Sequence, residues 1–274
     1  MSAAFLHWLL LLAVNVCESF LMMEYLVGGW KANQGQFPHM AILGRLKSDD
    51  SLEWFCGGSL ISAQFVLTAA HCANSQMLDP PRLVRLGEFD LSTDDDGEHQ
   101  DVAISRIVHH PAYNGVRAYN DIALIQLNRT VAFSHIIQPA CLWQLQSLPD
   151  ERPNAIGWGQ LGYNGNQPAE LHQVDLPLVD QSECNWLLSR PRTRRLPLGV
   201  LPSQICAGEL DGGKDTCEGD SGGPLQVRSK NMSCQYDIVG ITSIGGVCGT
   251  ARKPGVYTRV SYFLQWIESI MGTK

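Results

Sequence analysis

Short apolar or alternating runs recur along the first half of the chain, as in Met40-Ala-Ile-Leu-Gly44, Phe65-Val-Leu-Thr-Ala69, Leu83-Val-Arg-Leu-Gly87 and Ile122-Ala-Leu-Ile-Gln-Leu127, each broken by turn residues. Runs of this length predict strands. A second set spans about residues 155–260 and includes Ala155-Ile-Gly-Trp-Gly159, Val174-Asp-Leu-Pro-Leu-Val179 and Asp237-Ile-Val-Gly-Ile-Thr242. The pattern predicts an all-β chain folded as two antiparallel barrels, with residues 136–153 as the crossover. Only Phe263-Leu-Gln-Trp-Ile-Glu-Ser-Ile270 has a clear helical period, with Phe263, Trp266, Ile267 and Ile270 on one face. A closing helix packed on the second barrel is expected there.

Composition narrows the class of protein. A chain of 274 residues, 45% apolar and 17% charged, is that of an ordinary globular protein. The net charge of −7, partly concentrated in Asp94-Asp-Asp-Gly-Glu98, argues against a nucleic-acid partner. Residues Phe5–Val16 form an apolar run of signal-peptide length, short for a membrane span, so residues 1–19 are expected to direct secretion. The cleavage point is open among Val16, Cys17 and Ser19, and the lack of Lys or Arg before the run leaves a signal anchor as the alternative. Nine cysteines point to an oxidising compartment. The sequons at Asn128 and Asn231 predict N-glycans on a secretory route.

Candidate chemistry centres on Asp215-Thr-Cys-Glu-Gly-Asp-Ser-Gly-Gly-Pro224. Ser221 there is flanked by glycines, and the N–H groups of Gly219 and Ser221 can turn toward one point to stabilise a developing oxyanion. A serine needs a base, and His71 in Leu67-Thr-Ala-Ala-His-Cys72 is the candidate. Asp121, at the start of an apolar run, would hold its imidazole in the tautomer that accepts the serine proton. Because His71 and Asp121 lie in the first half and Ser221 in the second, the site belongs in the cleft between them.

These segments, together with Leu26-Val-Gly-Gly29, Gly157-Trp-Gly159 and Gly255-Val-Tyr-Thr-Arg259, resemble in kind and order those of the chymotrypsin/trypsin family of serine endopeptidases, over residues 26–270. Phe37-Pro-His-Met-Ala41, Pro139-Ala-Cys-Leu-Trp-Gln-Leu145 and Gly240-Ile-Thr-Ser-Ile-Gly245 look most like the catalytic domains of invertebrate clip-domain, Snake-like cascade proteases; no clip domain is recognised here. The resemblance implies two antiparallel six-stranded β-barrels over residues 26–135 and 136–262, with a C-terminal helix at 263–272. It implies a pocket floored by Asp215 and walled by Thr216, Gly245 and Gly255, which takes Arg and Lys side chains. Ser243 is expected to bond Asp121. Ile244 and Val247 depart from commoner Trp and Gly, altering neighbouring subsites more than the floor. Implied disulfides pair Cys56 with Cys72, Cys184 with Cys206 and Cys217 with Cys248. Cys17, Cys141 and Cys234 remain: Cys141 bridges Cys234 if processing removes Cys17, or Cys17 tethers a pro-segment to Cys141.

The same resemblance makes residues 20–25 a short pro-segment, with Leu26 as the new N-terminus whose amine pairs with Asp220. Tyr25, where relatives carry Arg or Lys, implies activation by a different protease; the alternative is that residues 1–25 are an atypical leader. Glu88, Asp90, Thr93, Asp95 and Glu98 match a calcium loop, with carboxylates at Glu88, Asp95 and Glu98 and backbone carbonyls near the other two; the alternative is a solvated acidic loop. Arg190-Pro-Arg-Thr-Arg-Arg195 reads as a solvated basic loop, an exosite for an acidic partner, or a self-cleavage site. No cofactor is needed for the chemistry. The expected partners are protein substrates, among them other zymogens, an activating protease and serpin-type inhibitors. A digestive trypsin and a secreted pseudoprotease acting as a binding module are the competing readings, the latter disfavoured by the presence of all three candidate catalytic residues.

Overall fold

The computed structural model describes residues 28–74, 79–93, 99–189 and 194–272. The signal segment, the pro-segment, Cys17, Tyr25, Leu26, Asp95, Glu98 and residues 190–193 of the basic loop lie outside the described residues. After a short β1 (Trp30–Lys31) come β2 (Met40–Leu46), β3 (Leu52–Ser62), β4 (Phe65–Thr68), β5 (Leu83–Leu86), β6 (Gln100–His109) and β7 (Ala123–Leu127). Strands β2 to β7 close into an antiparallel barrel in the order β2-β3-β4-β7-β6-β5. Its apolar positions point inward: Leu43, Leu60, Val66, Val84, Leu86, Leu124 and Ile125 are fully buried in one cluster. Closure leaves no free strand edge.

The second half contributes β8 (Cys141–Leu142), β9 (Asn154–Gly157), β10 (His172–Asp175), β11 (Leu178–Val179), β12 (Gln204–Ala207), β13 (Pro224–Arg228), β14 (Tyr236–Ile244) and β15 (Gly255–Arg259). Its sheet runs β1-β10-β9-β13-β14-β15-β12-β11, with β8 added in parallel to β14. Strand β1 pairs with β10 (Trp30 with Gln173), so the start of the chain joins the second half and not the first. The Cys141–Cys234 bridge ties the crossover to the approach of β14, alongside Cys56–Cys72, Cys184–Cys206 and Cys217–Cys248.

Two helices occur among the described residues where one was expected. Helix α1 (Gln181–Leu188) carries little amphipathic signal; it starts because the Asp180 carboxylate accepts from Ser182 N at 2.7 Å, capping an orphan N–H. Helix α2 (Leu264–Met271) ends at Gly272, whose φ of +71° suits glycine. Its expected apolar face is correct but its partner differs. Phe263 and Ile267 are buried in the same cluster as the first barrel's core, with Ile238 and Ile241 of β14, and His110 from the end of β6 meets the rings of Phe263 and Trp266. The helix therefore clamps the two halves together. An apolar stripe states that a helix is buried, not against what. No described helix is long and apolar enough to cross a membrane.

Candidate active site

His71 sits in a 3-10 turn (Ala70–Ala73) that follows β4, held by the Cys56–Cys72 disulfide from β3. Asp121 precedes β7, after Asn120 at φ +54°, so the paired strands β4 and β7 bring the two side chains together. His71 Nδ1 lies 2.8 Å from Asp121 Oδ2, and the His71 backbone N–H donates to Oδ1 at 2.9 Å. Ser243 Oγ, from β14, donates to Asp121 Oδ2 at 2.5 Å. Thr258 Oγ1, from β15, donates to the Asp121 carbonyl at 2.8 Å. Burial acts to raise the Asp121 pKa, but the adjacent imidazole and these hydrogen bonds outweigh it and hold the carboxyl below its ordinary value. Nothing local in the sequence gives Thr258 a role; its hydroxyl fixes the aspartate backbone.

Ser221 lies on the turn between Cys217 and β13. Asp220 N donates to Cys217 O, Gly223 N to Asp220 O, and Gly222 N to Thr242 O of β14. Gly57 N, from β3, donates to Ser221 O at 2.8 Å, so the first barrel grips the loop of the second. Gly219 has φ +105°, and a Cβ there would come within 2.9 Å of Gly159 Cα. Any other residue would twist this loop. The N–H groups of Gly219 and Ser221 donate to no atom of the described residues. Ser221 and His71 line one cleft of about 450 Å³ without a direct hydrogen bond between their side chains; His71 Nε2 is 3.7 Å from Cys72 Sγ.

Asp220 is buried beside Ser221. Its Oδ1 accepts from Gly159 N at 2.9 Å and its Oδ2 from Cys217 N at 2.8 Å. Added Cβ atoms at Gly157 and Gly159 would lie 2.1 and 2.5 Å from this side chain, which explains the glycines on either side of Trp158. Asp215 is 2% exposed and is not itself among the residues that line the cleft, although its neighbours Thr216 and Cys217 are. Gly249 N donates to its Oδ2 at 3.3 Å, and its Oδ1 has no hydrogen-bond partner among the described residues. Burial, only partly offset by backbone N–H donors, pushes Asp215 up to about 7 and Asp220 up to about 6. Thr216 Oγ1 and the Tyr257 hydroxyl are 2.9 Å apart. A Cβ at Gly255 would press on the Tyr257 ring at 3.2 Å, whereas Gly245 faces open space in the cleft wall. A hollow of about 510 Å³ between α1 and Leu196–Gly199 is lined by no ionisable side chain among the described residues.

A carboxylate-held imidazole, a serine on a glycine-fixed turn and outward N–H groups from two β units in this chain order decide the comparison. The trypsin family model matches residues 26–267. The chain belongs to the trypsin family. Within that family of serine proteases it is similar to "Serine protease snk" of Drosophila melanogaster, 45% identical over 249 residues that cover 89% of this chain and 56% of the relative. "Serine protease Hayan" of Drosophila melanogaster is 39% identical, covering 90% of this chain and 39% of its own length. "Proclotting enzyme" of Tachypleus tridentatus is 37% identical, covering 90% and 66%. This trypsin-family chain thus spans about half the length of the first two relatives.

The described part of the candidate calcium loop does not fit an ion. Glu88 Oε2 accepts from Arg85 Nη1 at 3.0 Å, and its Oε1 accepts from the backbone N–H groups of Phe89 and Asp90. The Asp90 carbonyl, one of the expected ligands, accepts from Thr93 N, and the Asp90 carboxylate is folded onto Ser92. The guanidinium supplies at Glu88 the charge that a cation would bring. Elsewhere, Cys56, His71 and Cys72 bring potential metal ligands together, but the two sulfurs are joined in a disulfide.

Proposed function

We propose that this chain is the peptidase domain of a secreted serine endopeptidase, made as a zymogen, that cleaves other proteins after Arg or Lys in an extracellular proteolytic cascade. The observation that carries the reading is the cleft itself: His71, tied to Asp121, and Ser221 line it together with Thr216 and Cys217, the neighbours of the buried Asp215. Ser221 Oγ attacks the scissile carbonyl while its proton passes to His71 Nε2. Substrate draws the two side chains into hydrogen-bond distance, since such contacts tighten in the reacting complex. The N–H groups of Gly219 and Ser221 hold the oxyanion, the imidazolium protonates the leaving amine, and water repeats the sequence on the acyl-serine. A substrate guanidinium or ammonium supplies Asp215 with the ion pair it lacks, supported by Thr216 and accommodated by Gly245 and Gly255.

Processing at Tyr25–Leu26 by another protease would deliver an α-amino group to Asp220 and set the Gly219 turn. The names of the relatives "Proclotting enzyme" and "Phenoloxidase-activating factor 3" from Holotrichia diomphalia support a cascade setting with protein substrates and an activating protease; serpin-type inhibitors complete the proposed set of partners. Asn128 and Asn231 are both exposed, as N-glycan acceptors must be. The test is N-terminal sequencing of the secreted protein before and after processing, paired with Arg-ending and Phe-ending peptide substrates. A new terminus at Leu26 with Arg cleavage lost in Ser221→Ala is the expected result. Cleavage after Phe in preference to Arg would overturn the specificity.

A further inference from the structure

Among the described residues that line the cleft, Arg195 and Glu218 are the Arg and Glu side chains, and they come from different segments of the chain. Glu218 stands between Cys217 and Gly219 on the turn that presents Ser221. Arg195 arrives from the segment after α1, and its carbonyl accepts from Ala118 N at 2.9 Å, which anchors it to the segment leading into Asp121. The Arg195 side chain is exposed and makes no ion pair with the described residues. A guanidinium held over a substrate cleft by its own backbone is a recognition element in search of an anion.

The strand geometry indicates which part of a substrate meets it. Pairing of β13 with β14 stops at Pro224–Ile241, while β14 continues against β15 to Ile244, so one edge of β14 is open from Ser243 into Gly245. An extended peptide with its basic side chain lodged toward Asp215 can add to that edge. Antiparallel addition runs the residues preceding the cleaved bond past Ile244, which packs in one apolar cluster with Leu196, the neighbour of Arg195.

We propose that Arg195 is a specificity-determining residue that selects substrates with an acidic side chain two or three positions before the cleaved Arg or Lys. This rests on the trypsin-like reading given above. Among the alternatives for the basic loop, it moves Arg195 from a remote exosite into the substrate cleft.

The test uses the secreted chain processed to free Leu26 and three peptides that end in the same cleavable Arg, with Glu, Gln or Lys at the second and third positions before that Arg. Glu peptides are expected to exceed Gln peptides, and Gln to exceed Lys, in kcat/KM by about fivefold at each step in low salt, with the spread shrinking as salt is added. Arg195→Glu should invert the order and Arg195→Lys should keep it. An unchanged Glu-to-Lys ratio in Arg195→Glu would sink the proposal, as would an acidic preference confined to positions after the bond. Failure of the processed wild type to cut even the Gln peptide would overturn the underlying trypsin-like reading, and this inference with it.

Discussion

Both halves of the molecule bury carboxylates at the cleft, and the two halves treat them oppositely. In the first barrel, Asp121 is sealed from water yet lies against the imidazole of His71 and accepts from the hydroxyl of Ser243, so its carboxyl stays below the ordinary range. In the second, Asp215 and Asp220 are as deeply buried but accept only from backbone N–H groups, and burial lifts them to about 7 and about 6. Burial of a charge is tolerated when a partner of opposite charge is at hand and otherwise drives protonation. The first half is therefore complete as folded. The second is completed, on the reading proposed here, by cations that arrive later: a substrate side chain at Asp215 and a newly freed amine at Asp220.

The largest effect that would break this comparison is at Ser221. Ser221→Ala should lower kcat by about 10⁶-fold while the thermal transition stays near that of the parent, since the hydroxyl packs against nothing the fold needs. Asp121→Asn should cost about 10⁴-fold, because an amide no longer fixes the imidazole tautomer. Retention of most activity by either variant in a peptide assay would show that the first half is not the completed machinery described.

Next in size is Asp215→Asn. Losing one member of a desolvated charge pair costs about 2–5 kcal/mol, or about 30-fold to several thousandfold in kcat/KM for an Arg peptide. A Phe-ending peptide should be far less affected. Equal losses on the two peptides would remove Asp215 from the pocket floor.

A smaller, graded effect should follow from pH. A carboxyl raised to about 7 in the folded state and ordinary in the unfolded one binds more protons when folded, so its contribution makes stability fall as pH rises from about 4 to about 7. An amidinium ligand paired with ionised Asp215 should reverse that trend. Its stabilisation of the protein, read as a shift in Tm, should grow from pH 5 up to about 7 and level off above that. Asp215→Asn should abolish the growth, and a ligand shift independent of pH would mean that Asp215 is ionised before the cation arrives. Asp121 contributes in the opposite sense: stability is present above its unfolded pKa and lost as pH falls through its depressed folded value.

How much of this was legible in the sequence follows from the range of each interaction. Strands β2, β4, β5 and β7 show themselves as short apolar runs because nearly every position in them is buried, and His71, Asp121 and Ser221 stand out because glycines, alanines and cysteines fix the backbone around them. Helix α1 escaped because its signal is a cap and not a stripe: Asp180-Gln-Ser-Glu183 is the pattern that starts it. The partner of α2, the pairing of β1 with β10 and the position of Arg195 in the cleft are long-range facts that no local window contains. At Glu88 the sequence shows the oxygen ligands but not their partner: the Arg85 guanidinium, three positions earlier, bonds its carboxylate.

That loop gives the smallest predicted effect and the sharpest use of the comparison. Glu88 resembles Asp121 and not Asp215: it is buried, and it already has an internal cation in Arg85, which also grips Asp101 through two hydrogen bonds at 2.7 and 2.9 Å. A carboxylate so supplied gains little from an ion, because binding calcium would first require displacing the guanidinium and stranding Asp101. EGTA should therefore leave Tm unchanged to within about 1 °C, a shift well below that of a 1 kcal/mol change in a domain of this size. Arg85→Met removes the internal cation, and calcium should then raise Tm where it had no effect before. A clear loss of Tm in the parent protein on adding EGTA would show that the loop binds calcium despite Arg85, and that an internal guanidinium does not complete a buried carboxylate as an imidazole does at Asp121.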